Sequence, residues 1–460
     1  MDSTITVKDD RVYSLDTLIE KIRKHPLFTA IFLFILIKLF ILFIFIWLFE
    51  FFNKNIGDIN SVIFSNNIFF DLLGTRWDSY FYMIIADNGS YFDPNRPMDT
   101  RIWNFSPLYP LFTRLLMDFT NLFHVTLPVV IAGVLVSNFF SLTSLIAFFY
   151  MSRRYLDEIK AVGATLLFSF FPTVFVFSTV AYAEPVFITF AILSWYFFEK
   201  ENYPLSGLTL ALATLARFPG AVIFFLYIPI YFGRKIQKKG LKLALGSLLA
   251  IPVFPILVII KFMTLLGSYL NSNSYFISLK TLFFQKLPIS ESKEERYQKI
   301  IDFLDIGLSW VLIFGLIPLG WIIFANAVAP MPLSEITYAN WGAKFVFPFA
   351  GLFEMVMSGN IKWALEKYLF VFFFIGLGII AFTKKPGISL LIIGQALFYT
   401  GYTGVHAWGA PRYIGTIFLA PVILADELKS NKMIILVIFL FIIYGFIVLW
   451  QFCDWDIWLI

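Results

Sequence analysis

The sequence predicts an all-α polytopic membrane protein, and two observations support this fold class. Of the 460 residues, 59% are hydrophobic and only 14% are charged, whereas a soluble domain usually carries about 25% charged residues. The apolar residues are also gathered into repeated runs of roughly 20, which is the length at which an α-helix crosses the hydrocarbon core of a bilayer. A helix satisfies its own backbone polar groups inside lipid. We therefore expect these runs to be transmembrane helices, with the lipid bilayer as a partner of the protein.

The composition also restricts the chemistry. Cys453 is the one cysteine, which excludes an intrachain disulfide and a cysteine-based metal site. The three histidines, His25, His124 and His406, are too scattered to indicate a histidine-rich metal site. We therefore expect no metal and no cofactor. The net charge of +5 is modest, and we interpret it through the positive-inside rule rather than as nucleic-acid binding.

Clusters of Lys and Arg predict which ends of the apolar runs face the cytoplasm. Residues 1–26 are polar and carry Lys21, Arg23 and Lys24 next to the first run, so we predict a cytoplasmic N-terminal segment here and a transmembrane domain over 27–460. The clearest cytoplasmic marker is 233–242, which contains basic residues and no acid. Lys38 lies inside the first run, where a charge in lipid is costly, so it is expected to face the helix bundle or to find a partner.

These markers predict a bundle of about 11–13 transmembrane helices. The candidate spans are 27–49, 127–150, 161–181, 186–198, 206–216, 220–232, 243–262, 308–325, 368–382, 388–403, 414–424 and 433–450, and residues 266–287 are expected to re-enter or cross.

Residues 50–126 form a predicted first outer loop in which acids outnumber bases. Two apolar stretches within it, 80–86 and 108–117, are too short to span a bilayer and are predicted to be helices lying in the interface. Asn88-Gly89 between them predicts a turn with positive φ. A loop of this length in a compact protein is usually functional.

The predicted topology places on one membrane face several polar or aromatic residues that are far apart in the sequence. They are Asp78, Glu184, Arg217, Trp341, His406 and Arg412. Residues that share one face can form one site, so this face is the candidate location of the chemistry.

Asp78 is the candidate catalytic residue, since a carboxylate beside the outer end of a span can accept a proton from an attacking hydroxyl. A helix cap or a solvated loop acid is the alternative for a single aspartate. Arg76 next to it could hold an anion or form an ion pair, and Trp77 lies between the two.

The other candidates are suited to an anionic or sugar ligand. Arg217 ends an apolar stretch before Pro219-Gly220, and an arginine there can bind phosphate through two donors or snorkel to the headgroups. Glu184 lies at a predicted outer turn. His406 and Arg412 flank a Gly- and Trp-containing loop, which suits a phosphate and a sugar face or an interfacial aromatic anchor.

Several segments, in order, resemble one family. They are Arg76-Trp77-Asp78-Ser79-Tyr80-Phe81, then Ala86, Gly89 and Tyr91, then Phe105-Ser106-Pro107-Leu108-Tyr109-Pro110, Tyr182-Ala183-Glu184-Pro185, Ala216-Arg217-Phe218-Pro219-Gly220, Trp341-Gly342 and Pro411-Arg412-Tyr413. The first-loop segments resemble the first outer loop of the PIG-V family, mannosyltransferases of the GT-C superfamily, and the later ones are supportive. The chain departs from the family pattern at Ser90 and Pro185, which favours a prokaryotic or archaeal relative acting in surface glycan assembly.

The resemblance implies a GT-C-like bundle and a multi-pass enzyme that transfers mannose from a dolichyl- or polyprenyl-phosphate donor to a glycolipid or glycan acceptor. It implies Asp78 as the general base of an inverting transfer, by analogy with inverting glycosidases. Substrate-binding roles then fall to Arg76, Trp77, Glu184, Arg217, His406 and Arg412, with Arg217 and Arg412 at the phosphate.

The alternatives are a GT-C transferase of another lipid-linked sugar and a non-enzymatic lipid or solute transporter. The active site is expected on the extracytoplasmic or lumenal face, in the plasma membrane of a prokaryote or the endoplasmic reticulum of a eukaryote. The sequence does not specify the acceptor, the linkage or a partner subunit.

Overall fold

The computed structural model describes residues 24–52, 73–89, 91, 100–239, 306–404 and 410–453. These residues form helices and their connections, with an isolated antiparallel bridge between Phe345 and Tyr402. The all-α fold class is therefore confirmed for this part of the chain. The helices are α1 Pro26–Phe52, α2 Asp78–Asn88, α3 Leu108–Asn121, α4 Val129–Ser152, α5 Glu158–Ser169, α6 Pro172–Phe177, α7 Glu184–Glu199, α8 Tyr203–Ala216, α9 Gly220–Lys239, α10 Ile306–Val328, α11 Leu333–Trp341, α12 Ala350–Met357, α13 Ile361–Ala381, α14 Pro386–Tyr399, α15 Ala410–Ile414, α16 Ala420–Glu427 and α17 Asn431–Cys453, with a 3₁₀ turn at Thr100–Asn104.

Several of these helices have the length and composition to cross a membrane. Among the described residues three qualify outright, Pro26–Ile44, Val129–Ser152 and Asn431–Phe452, and a pair bent by 73°, Phe314–Val328 with Leu333–Trp341, would be a fourth. Shorter apolar helices accompany them in α8, α9, α13 and α14. The protein is thus a multi-pass membrane protein. The number of about 11–13 spans remains a prediction, since the candidates 243–262 and 266–287 lie outside the described residues.

The chain divides into two compact units, one formed by residues 1–192 and 326–460 and the other by 193–325. In the first unit α4 packs against α3 and α5, α17 packs against α5 and α6, and α13 packs against α14. In the second unit α8 packs against α9.

The candidate span 161–181 is not a single continuous helix. Helix α5 ends at Ser169, and the short α6 starts at Pro172. Proline has no backbone N–H and its ring clashes with the preceding turn of a helix, but it fits the first position of a new one. The chain after α6 is irregular as far as Glu184, which begins α7. This break brings Tyr182 and Glu184 to the candidate site.

The two short apolar stretches of the predicted outer loop are helices. The stretch 80–86 lies in α2, which ends at Gly89 with φ 69°, so the turn predicted at Asn88-Gly89 is confirmed. The stretch 108–117 lies in α3, which follows Pro107. Their position in the membrane interface stays a prediction.

Helix α9 continues farther than its apolar stretch. The candidate span 220–232 is the first part of a longer helix, which runs to Lys239. Arg, Lys and Gln are good helix formers, so the end of the apolar run does not end the helix. Arg234 forms an ion pair with Glu199 of α7 in this region.

Lys38 has the partner that its position in α1 requires. Its buried ammonium donates to the Ser178 carbonyl oxygen at 2.9 Å and to Ser178 Oγ at 3.2 Å. The predicted partnering of Lys38 is confirmed, and it ties α1 to the irregular chain after α6.

Candidate active site

The candidate site is built around the buried guanidinium of Arg412, in α15. Its Nη1 atom lies 2.7 Å from Asp78 Oδ2, and its Nε atom lies 2.5 Å from Glu184 Oε1. Charge-assisted bonds of this length are strong. Three of the residues singled out by the predicted topology therefore lie in direct contact, although they come from three separate parts of the chain.

Both carboxylates stand at helix N-termini. Asp78 is the first residue of α2, and Glu184 is the first residue of α7. The N-terminal end of a helix carries partial positive charge from its unpaired N–H groups, which stabilises an acidic side chain there. Two helix starts thus direct negative charge at one arginine.

Trp77 sets the direction in which the chain enters α2. Its φ is 53° and its ψ is −128°, a conformation that a large non-glycine residue adopts only when its surroundings hold it. Its indole Nε1 donates to the carbonyl oxygen of Phe452, in α17, at 3.4 Å. The residue before the candidate base is therefore fixed by a helix from the far end of the chain.

Aromatic rings surround the guanidinium. Arg412 lies 4.8 Å from the ring centroid of Tyr182 and 5.0 Å from that of Phe177, and such cation–π contacts are stronger where water is excluded. Tyr182 also accepts a hydrogen bond from the Asp78 backbone N–H at 3.1 Å. Burial, and then the negative charge of Asp78, raise the pKa of Tyr182 well above its usual value, so this phenol stays protonated.

The three charged side chains differ in how much of their surface is exposed. The exposed fraction is 24% for Asp78 and 3% for Arg412, and it is 2% for Glu184. Burial acts to lower the pKa of Arg412, but the carboxylates of Glu184 and Asp78 outweigh it and raise that pKa. Arg412 therefore stays charged, and Asp78 is the most exposed member of the cluster.

The remaining predicted site residues have different positions. Arg76 is buried, with 1% of its surface exposed, directly before Trp77. Trp341 ends α11 and packs edge-on against Phe105. Arg217 follows the end of α8 in the second compact unit, and His406 lies outside the described residues.

A metal site would need several His, Cys, Asp or Glu side chains close together. Within the described ranges, no group of three or more His, Cys, Asp or Glu side chains is placed to hold a metal ion.

Tyr182 contacts Asp78 but was not among the candidate site residues predicted from the sequence. A tyrosine in a run as apolar as 161–183 looks like packing, and its contact with Asp78 depends on tertiary structure. The available signal was its place in Tyr182-Ala183-Glu184-Pro185, two residues before a candidate acid.

The family described as "Mannosyltransferase (PIG-V)" matches residues 19–273, which is more than half of the 460 residues. The chain belongs to the PIG-V mannosyltransferase family. The resemblance predicted from the sequence is thereby confirmed. The matched region contains Asp78 and Glu184 but not Arg412, whose place in the candidate site rests on the contacts described above.

One individual relative matches over a shorter stretch than the family does. The chain is 30% identical over 162 residues to GPI mannosyltransferase 2 of Schizosaccharomyces pombe, a match that spans 34% of this chain and 31% of that relative. The matched region is thus about a third of the relative's length.

The chain is also similar to a solved structure, the oligosaccharyltransferase of Archaeoglobus fulgidus in the apo form. The match covers 85% of this chain and 55% of the oligosaccharyltransferase, at 14% sequence identity and a TM-score of 0.40. A likeness at this level carries no argument about the site.

Proposed function

We propose that this chain is a membrane mannosyltransferase that transfers mannose from a dolichyl- or polyprenyl-phosphate mannose to a hydroxyl group of a glycolipid or surface glycan. Family membership supports the enzyme class, and the multi-pass membrane character suits a donor carried on a lipid. The observation that carries the mechanism is the contact between partly exposed Asp78 and buried Arg412.

In the proposed reaction Asp78 acts as the general base. The acceptor oxygen forms a bond to the anomeric carbon of mannose as its proton moves to an Asp78 carboxylate oxygen. The bond from that carbon to the phosphate oxygen breaks, and its electron pair leaves with the lipid phosphate. Attack opposite to the leaving group inverts the anomeric centre, as in inverting glycosidases. Phosphate is a good leaving group, so no general acid is required.

The exposures support Asp78 over Glu184 as the base. Both carboxylates bind Arg412, but Glu184 is 2% exposed, which leaves no approach for an acceptor. Glu184 is better suited to fixing the guanidinium. Asp78 is 24% exposed and can meet an acceptor on the side that does not face Arg412.

Arg412 has a proposed role in both halves of the reaction. Before the reaction its Nη1 atom holds the Asp78 carboxylate at 2.7 Å. When Asp78 takes the proton, Arg412 loses one of its two counter-charges as the lipid phosphate becomes more negative. The site then stabilises the leaving group electrostatically. Arg217 and His406 remain proposed phosphate and sugar ligands.

The test is transfer by the purified full chain in lipid nanodiscs. It is supplied with polyprenyl-phosphate mannose and an acceptor-lipid extract, and products are identified by mass. We expect a product heavier by one hexose, with loss of transfer in Asp78→Asn and retention of at least roughly a tenth of the rate in Glu184→Gln, which can still accept from Arg412 Nε.

The same assay separates the alternatives. Full activity of Asp78→Asn contradicts the assignment of the base. Transfer from a polyprenyl-phosphate glucose in place of mannose contradicts the sugar but keeps the enzyme class. Lipid or solute movement without any transfer, measured in sealed vesicles, contradicts the enzyme.

We further propose that the site faces the extracytoplasmic or lumenal side, as the Lys and Arg clusters indicate. Asn88 is exposed at the end of α2 and provides a reporter. In an active Cys453→Ser background, Asn88→Cys is expected to react with a membrane-impermeant maleimide on intact cells or sealed lumen-out vesicles. Labelling only after permeabilisation contradicts this orientation.

A further inference from the structure

Tyr182 is the centre of a set of contacts that links Asp78, the candidate base, to α4. The hydroxyl oxygen of Tyr182 accepts from the Asp78 backbone N–H at 3.1 Å. This N–H group belongs to the first turn of α2, whose amides have no partner within the helix. Tyr182 therefore supplies the bond that fixes the first residue of α2, and Asp78 is that residue.

Tyr182 is held in place through its own backbone. The Ser137 hydroxyl oxygen, on α4, accepts from the Tyr182 N–H at 3.0 Å and lies 3.0 Å from the Tyr182 carbonyl oxygen, to which it can donate. The same hydroxyl lies 3.2 Å from the Tyr109 hydroxyl. One serine thus satisfies both backbone groups of a residue in an irregular segment, where neither has a helical partner.

All members of this set are buried. Tyr182 is 1% exposed, and Tyr109 and Ser137 are fully buried. Tyr109 is anchored in turn by donating to the Gly133 carbonyl oxygen at 2.9 Å, one turn before Ser137 on α4. A buried polar set in which the groups have partners is rigid and allows one arrangement.

We propose that Tyr182 is a positioning residue for the general base, acting through its hydroxyl on the start of α2, with Ser137 as its support. This inference rests on the proposed function, because it assumes that Asp78 takes the acceptor proton. The base must be held within a fraction of an ångström of its working position, and Trp77 alone, in a strained conformation, leaves the following amide to be fixed by another group.

The ring and the hydroxyl of Tyr182 can be tested separately. Tyr182→Phe keeps the ring at Arg412 and removes only the acceptor for the Asp78 amide. We expect kcat to fall about 10- to 100-fold, the size of one lost hydrogen bond to a critical group. The KM values for donor and acceptor are expected to stay within about twofold, because the hydroxyl contacts the chain and not the substrate.

Ser137→Ala provides the second measurement. If Ser137 acts through Tyr182, its effect on kcat is large in the wild-type background and small in the Tyr182→Phe background. Independent sites would instead give multiplicative losses. Multiplicative losses contradict the proposed linkage, and a Tyr182→Phe variant with wild-type kcat overturns the role of the tyrosine.

The matched control is Tyr227→Phe. Tyr227 is a fully buried tyrosine whose hydroxyl also contacts a serine, Ser194, at 3.1 Å, in the second compact unit. We expect this change to lower thermal stability by a similar amount and to leave kcat unchanged. An equal loss of kcat in Tyr227→Phe would show that any buried hydroxyl has this effect and would overturn the proposal.

A readout that does not need turnover separates this proposal from the proposed function. Hydrogen exchange at the amide of Asp78 is expected to be faster in Tyr182→Phe than in the wild type, with exchange at Tyr227 unchanged. If the Asp78 amide exchanges faster in Tyr182→Phe but the wild type transfers no mannose, the proposed function is contradicted and the contact between Tyr182 and Asp78 is supported. Unchanged exchange overturns the link whatever the activity.

Discussion

Arg412 Nη1 lies 2.7 Å from Asp78 Oδ2, so an arginine late in the sequence forms an ion pair with the candidate base, which lies early in the sequence. The same guanidinium also binds Glu184 through Nε. Two carboxylates and one guanidinium leave this cluster with a formal charge of −1, which makes its properties sensitive to any change in the arginine.

Arg412→Lys is expected to abolish most of the activity while the chain still folds. A lysine ammonium is a single point of charge and does not reproduce the planar fork that meets two carboxylates at once. We expect kcat to fall at least about 100-fold and the free energy of unfolding to fall by about 3 kcal/mol, the scale of a broken buried pair. Transfer assays and thermal unfolding measure the two effects.

The control for that change is Arg234→Lys. Arg234 pairs with Glu199, but 34% of its side chain is exposed, and exposed pairs contribute about 1 kcal/mol or less. A small effect here and a large one at Arg412 is the expected contrast. Equal effects would mean that the two-carboxylate geometry has no special role.

Substitutions of Lys38 test whether the size or the charge of this buried side chain contributes to stability. Its ammonium is buried against Ser178 without an acidic partner among the contacts in the described chain, so the cost of burying the charge offsets its hydrogen bonds. Lys38→Met is therefore expected to leave the unfolding temperature and transfer unchanged, whereas Lys38→Ala leaves a cavity and costs about 2–3 kcal/mol. A loss in Lys38→Met as large as that in Lys38→Ala would contradict this account.

Two glycines of α9 are expected to respond in opposite ways to alanine. A Cβ at Gly220 would lie 2.6 Å from the Thr214 backbone nitrogen, whereas a Cβ at Gly233 meets nothing within 4 Å. We expect Gly220→Ala to destabilise the protein by about 1–3 kcal/mol and Gly233→Ala to stabilise it by roughly 0.5–1 kcal/mol. Thermal unfolding of the pair decides, and a stable Gly220→Ala protein would refute the close approach.

Stability is expected to fall at alkaline pH. Burial is the main cause that raises the pKa of Tyr182 and of Tyr91 well above 10.0, their ordinary value. Such tyrosines keep their protons in the folded state but lose them above about pH 10 on unfolding, so the stabilisation is complete below that pH and is lost as pH rises further.

The measurement is the unfolding temperature from pH 7 to 11. We expect little change to about pH 9 and then a decline that steepens above pH 10, where each such tyrosine approaches a loss of about 1.4 kcal/mol per pH unit. Tyr182→Phe removes one of these groups, so its curve should decline less steeply from its own starting value. An identical slope would show that Tyr182 ionises normally in the folded protein.

Local features of this chain could be predicted from the sequence. The predicted span 433–450 lies within α17, Asn431–Cys453, because a long apolar run has few other solutions in lipid. The end of α2 at Gly89 also follows from local chemistry, since glycine adopts positive φ at little cost. Pro172 is likewise a local signal for the helix break inside the candidate span 161–181, because proline fits the first turn of a new helix.

The candidate site could be predicted only in part. The Lys and Arg clusters predict that Asp78, Glu184 and Arg412 share one membrane face, but their pairing depends on how α2, α7 and α15 pack. No pattern in the sequence encodes that packing. Tyr182 illustrates the limit, because its hydroxyl is useful only through an amide far away in the sequence.

The contact between Trp77 and Phe452 implies an order of assembly. During synthesis the acids at Asp78 and Glu184 leave the ribosome long before Arg412, and the Phe452 carbonyl that holds Trp77 follows later still. Until Arg412 is made, Asp78 and Glu184 lack the guanidinium that they share, and until Phe452 is made, the Trp77 indole lacks its acceptor. The contacts of the candidate site are therefore complete only after both Arg412 and α17 have been synthesised.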